Sequence, residues 1–189
     1  MGDGYSGIFI WEAQLEALAF PTSYIATTSA QVTRASDNAS MTGTNFSSWY
    51  NAGQGTLYTA LTSKVPDGLS YVNSFVSIDN GAVGYFSWVG RAGYDNGFRY
   101  FTTSNNASIT TLMQNIPQQT IFSYTSSSLS YSTNGSAVGT IANTGAITPS
   151  KLSIGSIGNF YNPMTGYIKK IAYYPQAVTS AQLQALTGS

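Results

Sequence analysis

Hydrophobic and polar side chains alternate with a period of two in residues 55–61, 71–78 and 83–89, and residues 99–103 and 120–124 are rich in aromatic residues and threonine. Such alternation is typical of strands with one face on a core and one face in water. Glycine, asparagine, serine and proline separate the alternating segments, which recur about every ten to fifteen residues and favour a β-sandwich. The pair Asn134-Gly135 lies between two of them and predicts a two-residue hairpin of type I′. The predicted strands are residues 55–61, 71–78, 83–89, 99–103, 120–124, 129–133, 137–141 and 152–154.

A closing strand is predicted over residues 167–174, before Pro175, which cannot donate to a ladder. Lys169 and Lys170 point to opposite faces of a regular strand, so one of them is expected at a rim or a subunit contact. With unbroken alternation one face carries Tyr167, Lys169, Ile171 and Tyr173, and the other carries Ile168, Lys170, Ala172 and Tyr174.

One short helix is predicted after that strand. Thr179 or Ser180 can cap its N-terminus through a side-chain oxygen. Leu183 and Leu186 then fall on one helical face. The chain is therefore expected to be an all-β domain that ends on a single amphipathic helix.

This ending resembles the C-terminus of concanavalin A-like (laminin-G-like) jelly-roll domains of bacteriophage tail fibres and tailspikes. The matching motifs are the Tyr-X-Pro at residues 173–175 and the Ala-Gln-Leu-Gln-Ala-Leu-Thr at residues 181–187. Residues 35–50, with Ser-Ser-Trp-Tyr before Gly-Thr-Leu, resemble the first strands of the same family. The resemblance implies an antiparallel two-sheet jelly-roll sandwich with a short C-terminal helix. Trp49, in that short strand context, is expected to pack in the core.

The first thirty residues have a different character. Residues 8–15 can form a strand, and a helix over residues 12–19 competes because alanine, leucine, glutamate and glutamine favour helices. Residues 11–25 resemble the C-terminal sequence motif of small β-sandwich modules that precede such domains in phage tail proteins. The resemblance implies that residues 1–30 are the end of an upstream module or a linker, and that residues 31–189 are the jelly-roll domain.

The composition excludes several functions. Only 7% of the residues are charged and the net charge is zero, so no basic surface for nucleic acid or anionic lipid is predicted. No apolar run is long enough to span a membrane, and no signal peptide is visible. The absent signal fits a virion component released by host lysis, and it fits a cytosolic protein equally well. Without histidine or cysteine, a Ser-His-Asp triad, a thiol nucleophile and an imidazole zinc ligand are excluded.

The acidic residues offer little catalytic chemistry. Glu12 and Glu16 have a spacing used by jelly-roll glucanases, but they lie in the segment assigned to the upstream module. The remaining carboxylates stand singly beside turn-forming residues. The resemblance to lectin-like domains, which often hold calcium through aspartate and asparagine at a sandwich rim, implies a possible calcium site. Its candidates are Asp79 and Asp95, each followed by asparagine. Calcium needs six to eight oxygen ligands, so a turn role is favoured for both and no cofactor is expected.

Aromatic residues are the better indication of a binding site, since the chain has 14 tyrosines and 3 tryptophans. Sugars are bound by aromatic faces together with amides and arginine. Two glycine-containing segments combine these groups, and Trp88 can equally well fill the core, because Phe86 shares its face. The candidate glycan-binding residues are Trp88, Arg91, Tyr94, Asn96, Asn159 and Tyr161.

The resemblance implies a non-catalytic receptor-binding module of a phage tail fibre or tailspike, located in the virion and extracellular after lysis. Its partner would be a bacterial surface polysaccharide, and its assembly a homotrimer. A structural or oligomerisation domain of the fibre is the alternative, and low charge with abundant serine and threonine fits it equally well. A polysaccharide hydrolase or lyase is the least favoured class.

Overall fold

The structure is a computed structural model that divides into two units, residues 1–37 and residues 38–189. It describes residues 7, 14–15, 24–27, 29–32, 39–64, 73–81, 85–91, 97–102, 106–111, 115–142, 148–158 and 163–188, and the side chains of 85–99 and 101–111 are not described. The predicted strand at residues 8–15 and the competing helix at 12–19 lie almost wholly outside these residues. The division at residue 30 stays a prediction.

The described part of the second unit holds two antiparallel sheets. The larger has six strands, in the spatial order β1 (Ala39–Thr42), β10 (Lys151–Ile154), β3 (Asn73–Asp79), β4 (Tyr85–Arg91), β5 (Gly97–Thr102) and β6 (Asn106–Thr111). The smaller has five, in the order β11 (Gly166–Tyr174), β2 (Gln54–Ser63), β7 (Gln118–Thr125), β8 (Ser128–Thr133) and β9 (Gly139–Ala142).

Side chains from both sheets form one hydrophobic core. Tyr100 of β5 bridges the sheets, since its ring stacks on Tyr131 of β8 at 4.8 Å and its hydroxyl donates to the Ser132 carbonyl at 2.9 Å. The predicted all-β sandwich is thereby confirmed. The buried members include Phe75, Val76, Ile78 and Leu152 of the larger sheet, and Leu57, Leu61, Phe122, Tyr124 and Leu129 of the smaller sheet.

The hairpin between β8 and β9 also follows the sequence. Asn134 and Gly135 both have positive φ angles, 47° and 72°, as a type I′ turn requires. Strand β1 lies in residues 35–50, where the resemblance implied the first strands. Strand β6 was not predicted, since its short polar sequence carries little hydrophobic alternation.

A short helix, α1 (Thr44–Ser47), replaces part of the expected first strands. Phe46 is buried, and its ring meets Trp49 edge-on at 5.0 Å. Trp49 packs against the core, with Tyr173 at 4.6 Å, as predicted. The strand context assumed for Trp49 was wrong because the Gly43 turn starts a helical segment.

The C-terminal helix α2 (Ser180–Thr187) packs on β7 and β8 of the five-stranded sheet. Thr179 is the N-cap, and Thr179 and Gln182 form a capping box. Leu183 is fully buried whereas Leu186 is 37% exposed, so the two leucines do not share one buried face. Neither helix described in this chain has the length or the apolar character needed to cross a membrane.

Strand β11 contains a β-bulge between Ile168 and Lys170, where the register with β2 shifts. A bulge places two residues opposite one and resets the alternation of side chains. Ile168, Ile171 and Tyr173 consequently all pack against the core, and both lysines are exposed. The expectation that Lys169 and Lys170 lie on opposite faces was wrong, because it assumed an unbroken period of two. Since β11 is an edge strand, the bulge and its charges also disfavour pairing with another chain.

Candidate functional site

A groove of about 350 Å³ lies on the five-stranded sheet. Strand register builds it: Lys170 of β11 pairs with Ala60 of β2, and Ala60 pairs with Gln119 of β7. Because alanine is small, this row leaves a depression between a cation on one side and an amide on the other. We call it the amide–lysine groove; its polar lining is Tyr58, Thr62, Gln118, Gln119, Asn134, Lys169 and Lys170.

A chain of hydrogen bonds fixes the polar groups of the groove. The Tyr58 hydroxyl donates to Gln119 Oε1 at 2.7 Å. The backbone N–H of Gln119 donates to Asn134 Oδ1 at 2.8 Å, and the Asn134 N–H donates to the Gln119 carbonyl at 2.9 Å. Asn134 belongs to the tight turn after β8, so the turn residue and the strand residues hold each other in place. Groups held in this way present a fixed pattern of donors and acceptors to a ligand.

Lys170 is positioned by an aromatic ring. Its Nζ lies 5.6 Å from the centre of the Tyr58 ring, within the range of a cation–π contact. Burial, with a smaller effect of Tyr174, raises the pKa of Tyr58 above its ordinary value of 10.0. A phenol is protonated at neutral pH even without this shift, so Tyr58 is a hydrogen-bond donor. The groove therefore combines a neutral tyrosine, three amide side chains and two lysines.

A second groove, of about 510 Å³, lies between the end of β11 and α2. The Gln182 side chain there is used by the helix cap, since its Oε1 accepts from the Thr179 N–H at 2.8 Å. This leaves few groups that could orient a polar ligand. The lining includes Tyr174, Pro175, Gln176, Val178 and Leu186.

The residues predicted from sequence to bind a glycan lie largely outside the described residues. Trp88 and Arg91 belong to β4, where their Cα partners on β3 are Ser77 and Asn73. Their side chains are not described, and neither are Tyr94, Asn96, Asn159 and Tyr161. The site at these six residues stays a prediction.

The described neighbours of that predicted site lie along β3. The Gly158 N–H donates to Asp79 Oδ2 at 3.3 Å, at one end of the strand. Asn73 Nδ2 donates to the Pro163 carbonyl at 2.8 Å, at the other end. Residues 158 and 163, which flank Asn159 and Tyr161, are thereby tied to the strand next to β4.

Asp79, one of the two calcium candidates, has a structural role. It is fully buried, and its Oδ1 accepts from the Gly81 N–H at 2.8 Å in the turn expected from sequence. Its partner in register is Lys151, whose Nζ donates to the Gly158 carbonyl at 2.6 Å. The described residues contain no group of three or more acidic, histidine or cysteine side chains that could hold a metal. Asp95 lies outside the described residues.

Sequence reasoning missed the amide–lysine groove. Its residues come from β2, β7, β11 and a hairpin turn, and only strand pairing brings them together. The one local signal was Lys169-Lys170, two adjacent cations in a chain with seven lysines and arginines.

No protein-family model and no curated protein matches this chain. Its fold is shared by solved structures of low sequence identity. The CBM40 of the Ruminococcus gnavus IT-sialidase, bound to α2,3-sialyllactose, matches with a TM-score of 0.63 and 13% identity over 82% of this chain and 95% of that chain. Trypanosoma rangeli sialidase matches with a TM-score of 0.55 and 14% identity, over 71% of this chain and 22% of that chain.

A further match comes from a structure that describes the dependence of botulinum neurotoxin type C on two ganglioside molecules for cell entry. Its TM-score is 0.52 and its identity 11%, over 71% of this chain and 35% of that chain. At these identities the matches establish the fold, a two-sheet concanavalin-like sandwich with a short C-terminal helix.

Proposed function

We propose that this chain is a carbohydrate-binding module and that the amide–lysine groove holds the glycan. The observation that carries the proposal is the series of hydrogen bonds that joins Tyr58, Gln119 and Asn134 in the lining of the groove. Sugars offer closely spaced hydroxyls, which amide and phenol groups bind, and apolar C–H faces, which pack on aromatic rings. The CBM40 structure with bound sialyllactose supports the same use of this fold.

The role that we propose is binding without catalysis. Histidine and cysteine are absent from the sequence. Asp79 is the one acidic residue within the described part of the chain, and both of its carboxylate oxygens accept hydrogen bonds from backbone N–H groups. Glycoside hydrolysis generally uses two carboxylates at the scissile bond. The CBM40 match covers nearly the whole of that chain, whereas the sialidase match covers 22% of its length.

The proposed setting is the tail fibre or tailspike of a bacteriophage, with a bacterial surface polysaccharide as the partner. This part of the proposal rests on the motifs at residues 173–175 and 181–187. A homotrimer in the virion would present three copies of the groove, and the linked copies would raise weak single-site affinity through effective concentration. Mass measurement in solution tests the trimer, and adsorption of the protein to bacterial cells tests the receptor role.

A glycan array tests the binding site through two tyrosines that line different grooves. Tyr58→Ala is expected to abolish the array signal, because it removes the ring and the donor to Gln119. Tyr174→Ala, in the groove beside α2, is the matched control and should keep the signal. Trp88→Ala tests the site predicted from sequence in the same assay.

Each result assigns or removes a site. If only Trp88→Ala loses the signal, the binding site is assigned to the six-stranded sheet. If only Tyr174→Ala loses it, the site is assigned to the groove beside α2. A wild-type protein that binds no glycan on the array and no bacterial cells would contradict the proposed function. Thermal unfolding of each variant checks that the fold is intact.

A further inference from the structure

We infer that the amide–lysine groove selects sugars that carry a carboxylate, with Lys169 and Lys170 as the groups that bind it. The inference rests on the proposed glycan-binding function and adds the chemical class of the ligand. Three observations support it: both lysines line one groove, no carboxylate among the described side chains neutralises them, and the Tyr58 ring orients Lys170.

The bulge in β11 concentrates positive charge at one place. In a regular strand, adjacent side chains point to opposite faces. The register shift between Ile168 and Lys170 instead leaves both lysines exposed and lining one groove. Two cations beside each other repel, and an anion that binds between them relieves this repulsion.

No described acidic side chain neutralises this charge. Among the residues whose side chains the structure describes, the only carboxylate is that of Asp79, which is buried in the six-stranded sheet. The groove itself is lined by amides, a tyrosine and small or apolar residues in addition to the lysines. An anionic group entering the groove therefore meets cations that are not paired with a described carboxylate.

The contact with Tyr58 orients Lys170 without cancelling its charge. A carboxylate partner would both hold and neutralise a lysine, whereas an aromatic ring attracts the ammonium and leaves its N–H donors able to bind an anion. The Nζ lies 5.6 Å from the ring centre, and the ring is held in turn by the bond to Gln119. Lys170 is thus pre-oriented before a ligand arrives, which reduces the entropy lost on binding.

The size of the groove fits a short saccharide. A volume of about 350 Å³ lies at the lower end of the range for small-molecule sites, which is about 300–1,000 Å³. One acidic sugar could place its carboxylate at the lysines and its hydroxyls at Gln119 and Asn134. An extended polyanion such as nucleic acid would need a longer basic surface than two adjacent lysines provide.

Two matched pairs of ligands test the inference in calorimetric titrations. Galacturonic acid is compared with galactose, and 3′-sialyllactose with its methyl ester, so that the two members of each pair differ at the group that carries the charge. We expect at least one acidic ligand to bind about tenfold more tightly than its neutral partner, as a charge-assisted hydrogen bond provides. The difference should shrink as salt is added. The preferred pair identifies the source of the carboxylate, a uronic acid or a sialic acid.

Variants locate the charge effect. Lys170→Gln keeps the length of the side chain and should remove the preference for the acidic ligand while binding of the neutral ligand persists. Lys64→Gln is the control with the same change in net charge. Lys64 lies two residues beyond Thr62, which lines the groove, and is not itself a lining residue; its Nζ lies 5.7 Å from the centre of the Tyr167 ring instead. A similar loss in both variants would show a general charge effect and overturn the inference.

Failure of the inference can be distinguished from failure of the proposed function. Equal binding of acidic and neutral ligands, unchanged in Lys170→Gln, would overturn the selection for carboxylates and leave glycan binding standing. If no saccharide binds in the titrations or on the array, both the selection for carboxylates and the proposed glycan-binding function are contradicted.

Discussion

The hydroxyl groups of Tyr124 and Tyr173 lie 2.9 Å apart, joining β7 to β11 across the end of β2. Asn51 completes the bridge: its carbonyl accepts from Tyr124 at 2.7 Å, and its N–H donates to Tyr173 at 2.9 Å. Gly55 lies next to the two hydroxyl groups. A Cβ atom at this position would lie 2.5 Å from the Tyr124 hydroxyl oxygen. The pair thus requires glycine at position 55 and fixes the segment after α1 to the five-stranded sheet.

Tyr124→Phe is expected to lower the free energy of unfolding by about 1–3 kcal/mol, because it leaves the partly buried Asn51 carbonyl without its donor. Urea unfolding measures the change. Tyr167→Phe is the control, since Tyr167 is 68% exposed and should change stability by less than about 0.5 kcal/mol. Equal stability of the two variants would show that the bridge contributes nothing.

The buried tyrosines predict a loss of stability at alkaline pH. Burial raises the pKa of Tyr50 from 10.0 to about 12 and raises the pKa values of Tyr100 and Tyr124 as well. Below pH 10 these groups are protonated in both the folded and the unfolded chain. Above pH 10 the unfolded chain releases protons that the folded chain keeps, so the free energy of unfolding falls as pH rises.

Urea unfolding at a series of pH values up to about pH 11 checks this prediction. Tyr50→Phe should make the decline with pH shallower, because one of the shifted groups is removed. A free energy of unfolding that stays constant from neutral pH to the upper end of the series would contradict the assigned burial of these phenols.

Local signals were enough to predict most of the fold. Alternation located β2, and the content of aromatic residues and threonine located β7. Asn134-Gly135 fixed a turn, because few other residue pairs adopt two successive positive φ angles at low cost. Thr179 could be predicted as a helix cap because its side-chain oxygen can accept a hydrogen bond from an N–H group in the first turn of the helix.

The groove and the bulge depend on contacts that are distant in sequence. An unbroken period of two was assumed for β11, although Ile168 and Ile171 are three residues apart in the sequence. The pairing with β2 establishes the register shift. Gln119 and Ala60 are ordinary residues in their own strands and form a site only through pairing. The rule that sugars bind to aromatic and arginine side chains predicted a different site, which includes Trp88 and Arg91. That site stays a prediction.

The two leucines of α2 predict a contrast between matched substitutions. Leu183→Ala is expected to lower the free energy of unfolding by about 2–5 kcal/mol, because it leaves a cavity beneath the helix. Leu186→Ala should lower it by less than about 1 kcal/mol, since the side chain is 37% exposed and lines the groove beside β11. Thermal or urea unfolding compares the variants. Similar losses would mean that both leucines are buried, as the helical pattern alone predicts.

Asp79→Asn tests whether the carboxylate serves the fold. Both of its oxygens accept backbone N–H groups, from Gly81 at 2.8 Å and from Gly158 at 3.3 Å. Asparagine would turn an NH₂ group toward one of these donors, and we expect the free energy of unfolding to fall by about 1–3 kcal/mol. A calcium ion at Asp79 would have to displace one of the same N–H groups, so calcium is expected to leave the melting temperature of the wild type unchanged. A calcium-dependent rise that disappears in Asp79→Asn would instead assign a metal to this turn.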